Sequence, residues 1–221
     1  MSTRKLILIA GALLALCVQA VFAQSQSGST SSASSSAATS AASGTTTKPE
    51  TIQDRKENQQ DRIAQGVQSG QLTAGETKNL ENKEAGLNKE EHNMRAEDDG
   101  HLTDADRAKL NKQQNKLSNQ IHDDKTNGNT AHYGNGEVGQ RRENQQDRIS
   151  QGIKSGQLTP GETAKLENQQ QGINREASGM RQANGGKLTN ADKAALNQQQ
   201  NRASRNIYNK KHNAAKTGAA K

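Results

Sequence analysis

The sequence predicts an all-α fold of two tandem three-helix units behind a disordered N-terminal spacer. Three observations lead there: an internal duplication, a turn signature that recurs four times, and apolar residues at helical spacing in an otherwise polar chain. Residues 57–82 (ENQQDRIAQGVQSGQLTAGETKNLEN) and 143–168 (ENQQDRISQGIKSGQLTPGETAKLEN) agree at 20 of 26 positions, at an offset of 86 residues. The match continues at that offset. Gly100, Leu102, Thr103 and Asp106 correspond to Gly186, Leu188, Thr189 and Asp192, and Gln113-Gln114-Asn115 to Gln199-Gln200-Asn201. A period of this kind sets the architecture before any single helix is placed.

At the N-terminus, residues 1–23 have the pattern of a secretory signal peptide: Arg4 and Lys5, a 13-residue apolar run from Leu6 to Val18, then Val21-Phe22-Ala23. The run is short for a bilayer span, and cleavage is expected after Ala23, leaving no transmembrane span. Leu16 stands before Cys17 where a lipid-modified cysteine needs a small neighbour, so lipidation is not expected. Cleavage would remove the single cysteine, so the mature chain would form no disulfide although export permits them. Residues 24–48 are a low-complexity Ser/Ala/Thr-rich stretch and read as a disordered spacer.

The first helical unit is placed at 49–125 and the second at 139–211. The Gly/Asn-rich stretch 126–138 reads as a flexible linker and 212–221 as a basic tail. Within each unit a Gly-x-Leu-Thr turn occurs twice, at Gly70, Gly100, Gly156 and Gly186, and an acid follows each Thr by three: Glu76, Asp106, Glu162 and Asp192. That is a capping box: the Thr hydroxyl accepts the amide three residues on, and the acid there reaches back to the Thr amide. Gly ends the preceding helix, and Pro160 suits a first helical position, where its missing N–H costs nothing. Helices are therefore expected at 53–67, 74–95 and 104–124, and at 140–153, 160–181 and 190–211.

The core looks thin. Hydrophobic residues are 29% of the chain, aromatics 1%, and mean hydropathy is −1.09. The first unit offers Ile63, Val67, Leu72, Leu80, Leu87, Met94, Leu102, Leu110, Leu117 and Ile121; the second keeps nine of these as large apolar residues and puts Ala203 at the tenth. The spacing 80, 87, 94 puts three on one helix face, a stripe one residue wide. Units this polar are expected to be marginal alone. Charge divides between them: 16 acids and 12 bases in 49–130, 7 acids and 15 bases in 131–221. The net values of −4 and +8 suggest unit-to-unit or self-association by charge, or docking of the second unit on a polyanion.

The corners resemble the second half of an EF-hand calcium loop, which has Gly at position 6, an apolar residue at 8 and a bidentate acid at 12. In that register the best loop is 95–106, with Glu97, Asp99 and Asp106 at ligand positions and Arg95 at position 1, where the family has Asp. The resemblance implies calcium as a cofactor, and the departure at Arg95 implies binding no tighter than millimolar. Leu-Thr-x-x-acid and the general polar, helical, aromatic-poor character are similar to the small periplasmic chaperones of the Spy/CpxP type, whose motif is LTxxQ. The whole arrangement also resembles uncharacterised exported bacterial repeat proteins with QGIxSGQLTxxE units, a similarity that carries no function with it.

The five histidines fall in no metal-ligand spacing and do not recur between the units; the nearest to a weak metal site is His122-Asp123-Asp124. No phosphate loop, nucleophile elbow or aromatic-lined pocket is legible, so no catalytic or cofactor-binding residue is assigned and no enzyme is expected. Nucleic acid is not the expected partner, since stacking platforms are missing. For a polyanion the candidates are Arg202, Arg205, Lys210 and Lys211, beside Tyr208. The functional expectation is an exported, periplasmic or secreted, binding or structural protein of the cell envelope, with a chaperone-like client site as one form of it. The alternatives are weak divalent-cation binding at the corners and polyanion binding through the second unit.

Overall fold

A computed structural model of the chain describes residues 50–216. The expected signal peptide, the spacer and the last five residues of the tail lie outside the described residues. Six α-helices follow in chain order: α1 (Ile52–Gln68), α2 (Ala74–Glu97), α3 (Asp104–Thr126), α4 (Glu137–Lys154), α5 (Pro160–Ala183) and α6 (Asn190–Lys211). Five of them begin on a complete capping box: Thr51/Asp54, Thr73/Glu76, Thr103/Asp106, Thr159/Glu162 and Thr189/Asp192. The four turn-associated boxes were legible from their spacing, and the fifth, at Thr51, uses the same chemistry. Helix α4 starts earlier than expected, after Gly136 at φ 116°, with no side-chain cap, because the position equivalent to Thr51 is Glu137.

The first turn of each unit closes on a leucine. The Leu72 N–H donates to the Gly66 carbonyl at 2.9 Å, and Leu158 to Gly152 at 3.0 Å. The leucine side chain then lies on the helix backbone, where a β-carbon at Gly66 or Gly152 would come within 2.6 Å of it. This is why QGxxSGQLT reads almost identically twice.

The two units pack as equivalents, α1 along α4 and α2 along α5, while α3 touches only α1 and α2, and α6 only α4 and α5. The arrangement is a pseudo-two-fold pair within one chain, so that Ser150 Oγ donates to the carbonyl of Ala64, its own equivalent 86 residues earlier, at 2.9 Å. One apolar cluster spans both units, including Ile63, Val67, Leu72, Leu80 and Ile121 from the first and Ile149, Ile153, Leu158, Leu166 and Ile207 from the second. A smaller cluster caps each end: Met94, Leu102 and Leu110 in the first unit, and Val138, Ile173, Ala177, Leu196 and Ala203 in the second. Sharing a core is how two thin stripes become one sufficient interior.

Charge is one of the attractions between the units that the sequence suggests. The five ion pairs among the described residues all lie within a unit, so burial of apolar surface, not ion pairing, carries the contact. The stretch read as a flexible linker is also held at points along its length: the Ala131 N–H donates to the Gly70 carbonyl at 2.8 Å, and Arg142 donates to the carbonyls of His132 and Tyr133.

Polar residues complete the interior. Gln59 and Gln145 are buried and donate to the backbone carbonyls of Gln114 and Gln200, each at 2.7 Å. Gln114 and Gln200 in turn donate to the carbonyls of Ile52 and Val138, at 2.9 and 2.8 Å. These glutamines fasten the third helix of each unit to its first. Arg62 and Arg148 do the same to Ser118 and Ser204. The repeated ENQQDR is an internal fastening, which explains how a chain so poor in apolar residues packs.

Candidate functional site

The corners resembling calcium loops use their acids as caps. Asp106 accepts from the Thr103 N–H at 3.1 Å and from its hydroxyl at 2.6 Å, and these bonds hold its carboxyl below the usual range. Arg95 donates to Glu91 at 2.8 and 3.0 Å and to the Gly100 carbonyl at 3.2 Å, so its guanidinium lies against the loop where the family would place a cation. Glu97 and Asp99 are exposed, and Asp99 takes a left-handed φ of 50° to make the turn. Glu97, Asp99 and Asp106 are thus not assembled into a ligand set. Among the described residues no group of three His, Cys, Asp or Glu side chains is placed to hold a metal.

The four cations proposed for a polyanion divide into two pairs. Arg202 and Arg205 are exposed, and with Tyr208, Asn209 and His212 they recur at three- and four-residue intervals along one face of α6. Tyr208 is 56% exposed, the only large hydrophobic residue so exposed among those described, and stacks on His212 with ring centroids 4.1 Å apart. Lys210 instead turns to Glu162 at 3.4 Å. Lys211 is half-buried, and burial followed by the charge of Arg148 lowers its pKa. The exposed site is therefore Arg202, Arg205, Tyr208 and His212. At the matching positions α3 has Lys116, Asn119, His122 and Thr126, so the guanidinium pair belongs to the second unit alone.

Sequence reasoning missed a buried acidic layer. Glu81 on α2 and its equivalent Glu167 on α5 are fully buried and accept from Gln60 at 3.2 Å and Gln146 at 3.0 Å, while one oxygen of each has no partner. Glu84, also buried, has no hydrogen bond to either oxygen. Burial pushes Glu84 up to about 7 and Glu167 up to about 8; Glu81 is raised well above the ordinary range, by burial first and then by the nearby charges of Glu84 and Glu167. These are neutral acids at mildly acidic pH. Their signal in the sequence was the exact recurrence of L-E-N at both 80–82 and 166–168.

No family model matches the chain, and neither a curated protein nor a solved structure matches it. No helix among the described residues is long and apolar enough to cross a membrane.

Proposed function

We propose that this is an exported, non-catalytic binding protein of the cell envelope, periplasmic or secreted, that holds an anionic polymer on the outer face of α6. The observation that carries this reading is the exposed Arg202–Arg205 pair, continued by the Tyr208–His212 stack, on the unit with the excess of bases. Guanidinium groups pair with carboxylate, sulfate or phosphate through a planar fork, and an adjacent ring supplies a flat face for a sugar or acyl chain. A basic helix face that is not neutralised within the molecule attracts such a polymer over a Debye length.

The chaperone-like form of the reading has less support, because the large apolar side chains other than Tyr208 are enclosed or half-enclosed among the described residues. Divalent-cation binding has less still, since the corner acids are engaged as caps. The test is binding of the mature protein to polyglucuronate and polyglutamate across a salt series. Binding should weaken steadily with salt. The R202E/R205E double variant should bind at least about tenfold more weakly at low salt, two reversed charges of the kind worth up to ~1 kcal/mol each when merely removed. Unchanged binding in that variant would rule the α6 face out.

A further inference from the structure

The pseudo-two-fold gives every side chain of the first unit a counterpart 86 residues on, and among the charges that are not reproduced one group is partly buried. In the first unit Glu91 sits between two cations: Lys56 lies 3.0 Å from one of its oxygens and Arg95 2.8 Å from the other. Burial works against the charge of Glu91, but the bonds from Arg95 and Lys56 overcome it and hold the carboxyl below its ordinary range. A second acid, Glu84, also feels the charge of Lys56. In the second unit both cations persist, as Arg142 and Arg181, while both acids are lost: Glu91 becomes Ala177 and Glu84 becomes Gln170. The formal charge of the constellation goes from neutral to +2.

The two arginines line one cavity of about 340 Å³ beside the linker, at the low end of the size range for small-molecule sites. Arg142 is only 6% exposed, and its Nε has no hydrogen-bond partner. Its other nitrogens donate weakly, at 3.3 and 3.4 Å, to the carbonyls of His132 and Tyr133, and its guanidinium lies 5.5 Å from the centre of the Tyr133 ring. Among the described residues neither Arg142 nor Arg181 pairs with a carboxylate. Burial first, then the like charge of Arg181, pull the Arg142 pKa below its ordinary value. A buried guanidinium beside another cation, with no acid, is costly unless an anion completes it. The acids whose charge reaches Tyr133 are Glu167, Asp147 and Glu143, and none of them bonds either arginine. Asn174 and Ser178 also line the cavity, and Asn174 Oδ1 is buried with no donor.

We propose that this cavity binds a small carboxylate bearing a hydroxyl or amino group, its carboxylate standing between Arg142 and Arg181 where the first unit has Glu91. The two guanidinium forks take the carboxylate oxygens, and the ligand's hydroxyl or amine donates to Asn174. The equivalent cavity, lined by Lys56, Asn88 and Pro160 among others, is not expected to bind, because Glu91 already neutralises Lys56 and Arg95.

The chain has two tyrosines, which makes the test simple. D-glucuronate is titrated into the mature protein while the ring resonances of Tyr133 and Tyr208 are followed by NMR. Tyr133 should shift saturably in the millimolar range and Tyr208, on α6, should not. Ala177→Glu supplies the missing acid and should lower the affinity at least about tenfold, as expected when an internal carboxylate competes for paired guanidinium groups, while the melting temperature holds or rises. Arg181→Gln, which leaves Ala177 in place, should weaken binding without unfolding the protein. An equal response to inorganic phosphate would overturn the assignment to a carboxylate. A Tyr133 shift that survives both A177E and R181Q, or no Tyr133 shift at all, would overturn the site.

Discussion

The two units share their fastening residues and differ in their charges, and the difference separates framework from function. Both keep the buried glutamines, the glycine under the leucine of the first turn and the Thr–acid caps of their second and third helices. Where they part, the first unit pairs three of its cations: Lys56 and Arg95 close on Glu91, and Lys109 on Glu90 at 2.6 Å. At the matching positions the second unit has Arg142, Ala177 and Arg181, and its α6 presents Arg202 and Arg205 to solvent. Duplication supplied a partner that completes the core, and it left one copy free to expose cations.

The comparison is broken most severely through the shared framework. Gly66→Ala and Gly152→Ala each place a β-carbon 2.6 Å from a leucine side chain. Each should cost on the order of 1–3 kcal/mol from overpacking. Matched losses in chemical denaturation would confirm that the two turns are equivalent. A large loss in only one would show that the units are not.

The buried acids give the next largest effect. Unfolded carboxyls of this type release their protons near 4.5, whereas in the folded protein Glu84 keeps its proton to about 7 and Glu167 to about 8. Over that window the native state binds more protons. Stability from these groups is therefore full below the unfolded value and falls as pH rises through 7 and 8. The cap acids Glu76, Asp106, Glu162 and Asp192 have lowered pKa values, so their contribution is lost only as pH falls through the acid range. The melting temperature should peak near pH 5 and drop by at least about 5 °C at pH 8, at the ~2–4 °C per kcal/mol expected for a domain of this size. Glu84→Gln, which copies Gln170 of the second unit, should reduce that drop, and E81Q with E167Q should reduce it further. A flat pH profile would mean that these carboxyls are hydrated.

A smaller effect sharpens the contrast at the first helix of each unit. Thr51 caps α1, while α4 begins on Gly136 with no side-chain cap. Thr51→Ala should cost about 1 kcal/mol, measured by urea titration. The exposed R202E/R205E changes should move stability by less than about 0.5 kcal/mol, which would separate the binding role proposed for them from any structural one.

The helices were legible because each signal was local. Thr–acid spacing, Gly turns and Pro160 set four of the six starts, and α2 and α5 fall where the repeat places them. That the units share one apolar cluster was not legible, because an apolar stripe one residue wide does not say what it faces. Nothing in the side-chain chemistry of Gln59, Gln60, Gln145 and Gln146 signals an interior position, yet all four are buried. Only their recurrence hinted at constraint. Of the four candidate polyanion residues, Arg202 and Arg205 are exposed. Lys210 and Lys211 turn inward, since consecutive residues on a helix point about 100° apart. The Arg142 cavity was hidden because its defining feature is an acid missing from one copy, which only the pseudo-two-fold brings beside the two cations.

A single core shared by both units is tested most directly by differential scanning calorimetry of the protein. The shared apolar cluster and the lack of cross-unit ion pairs among the described residues predict one transition. Its calorimetric and van't Hoff enthalpies should agree, and its midpoint should change little between low and high salt. Two separable transitions, or a single one that collapses as salt is raised, would contradict it.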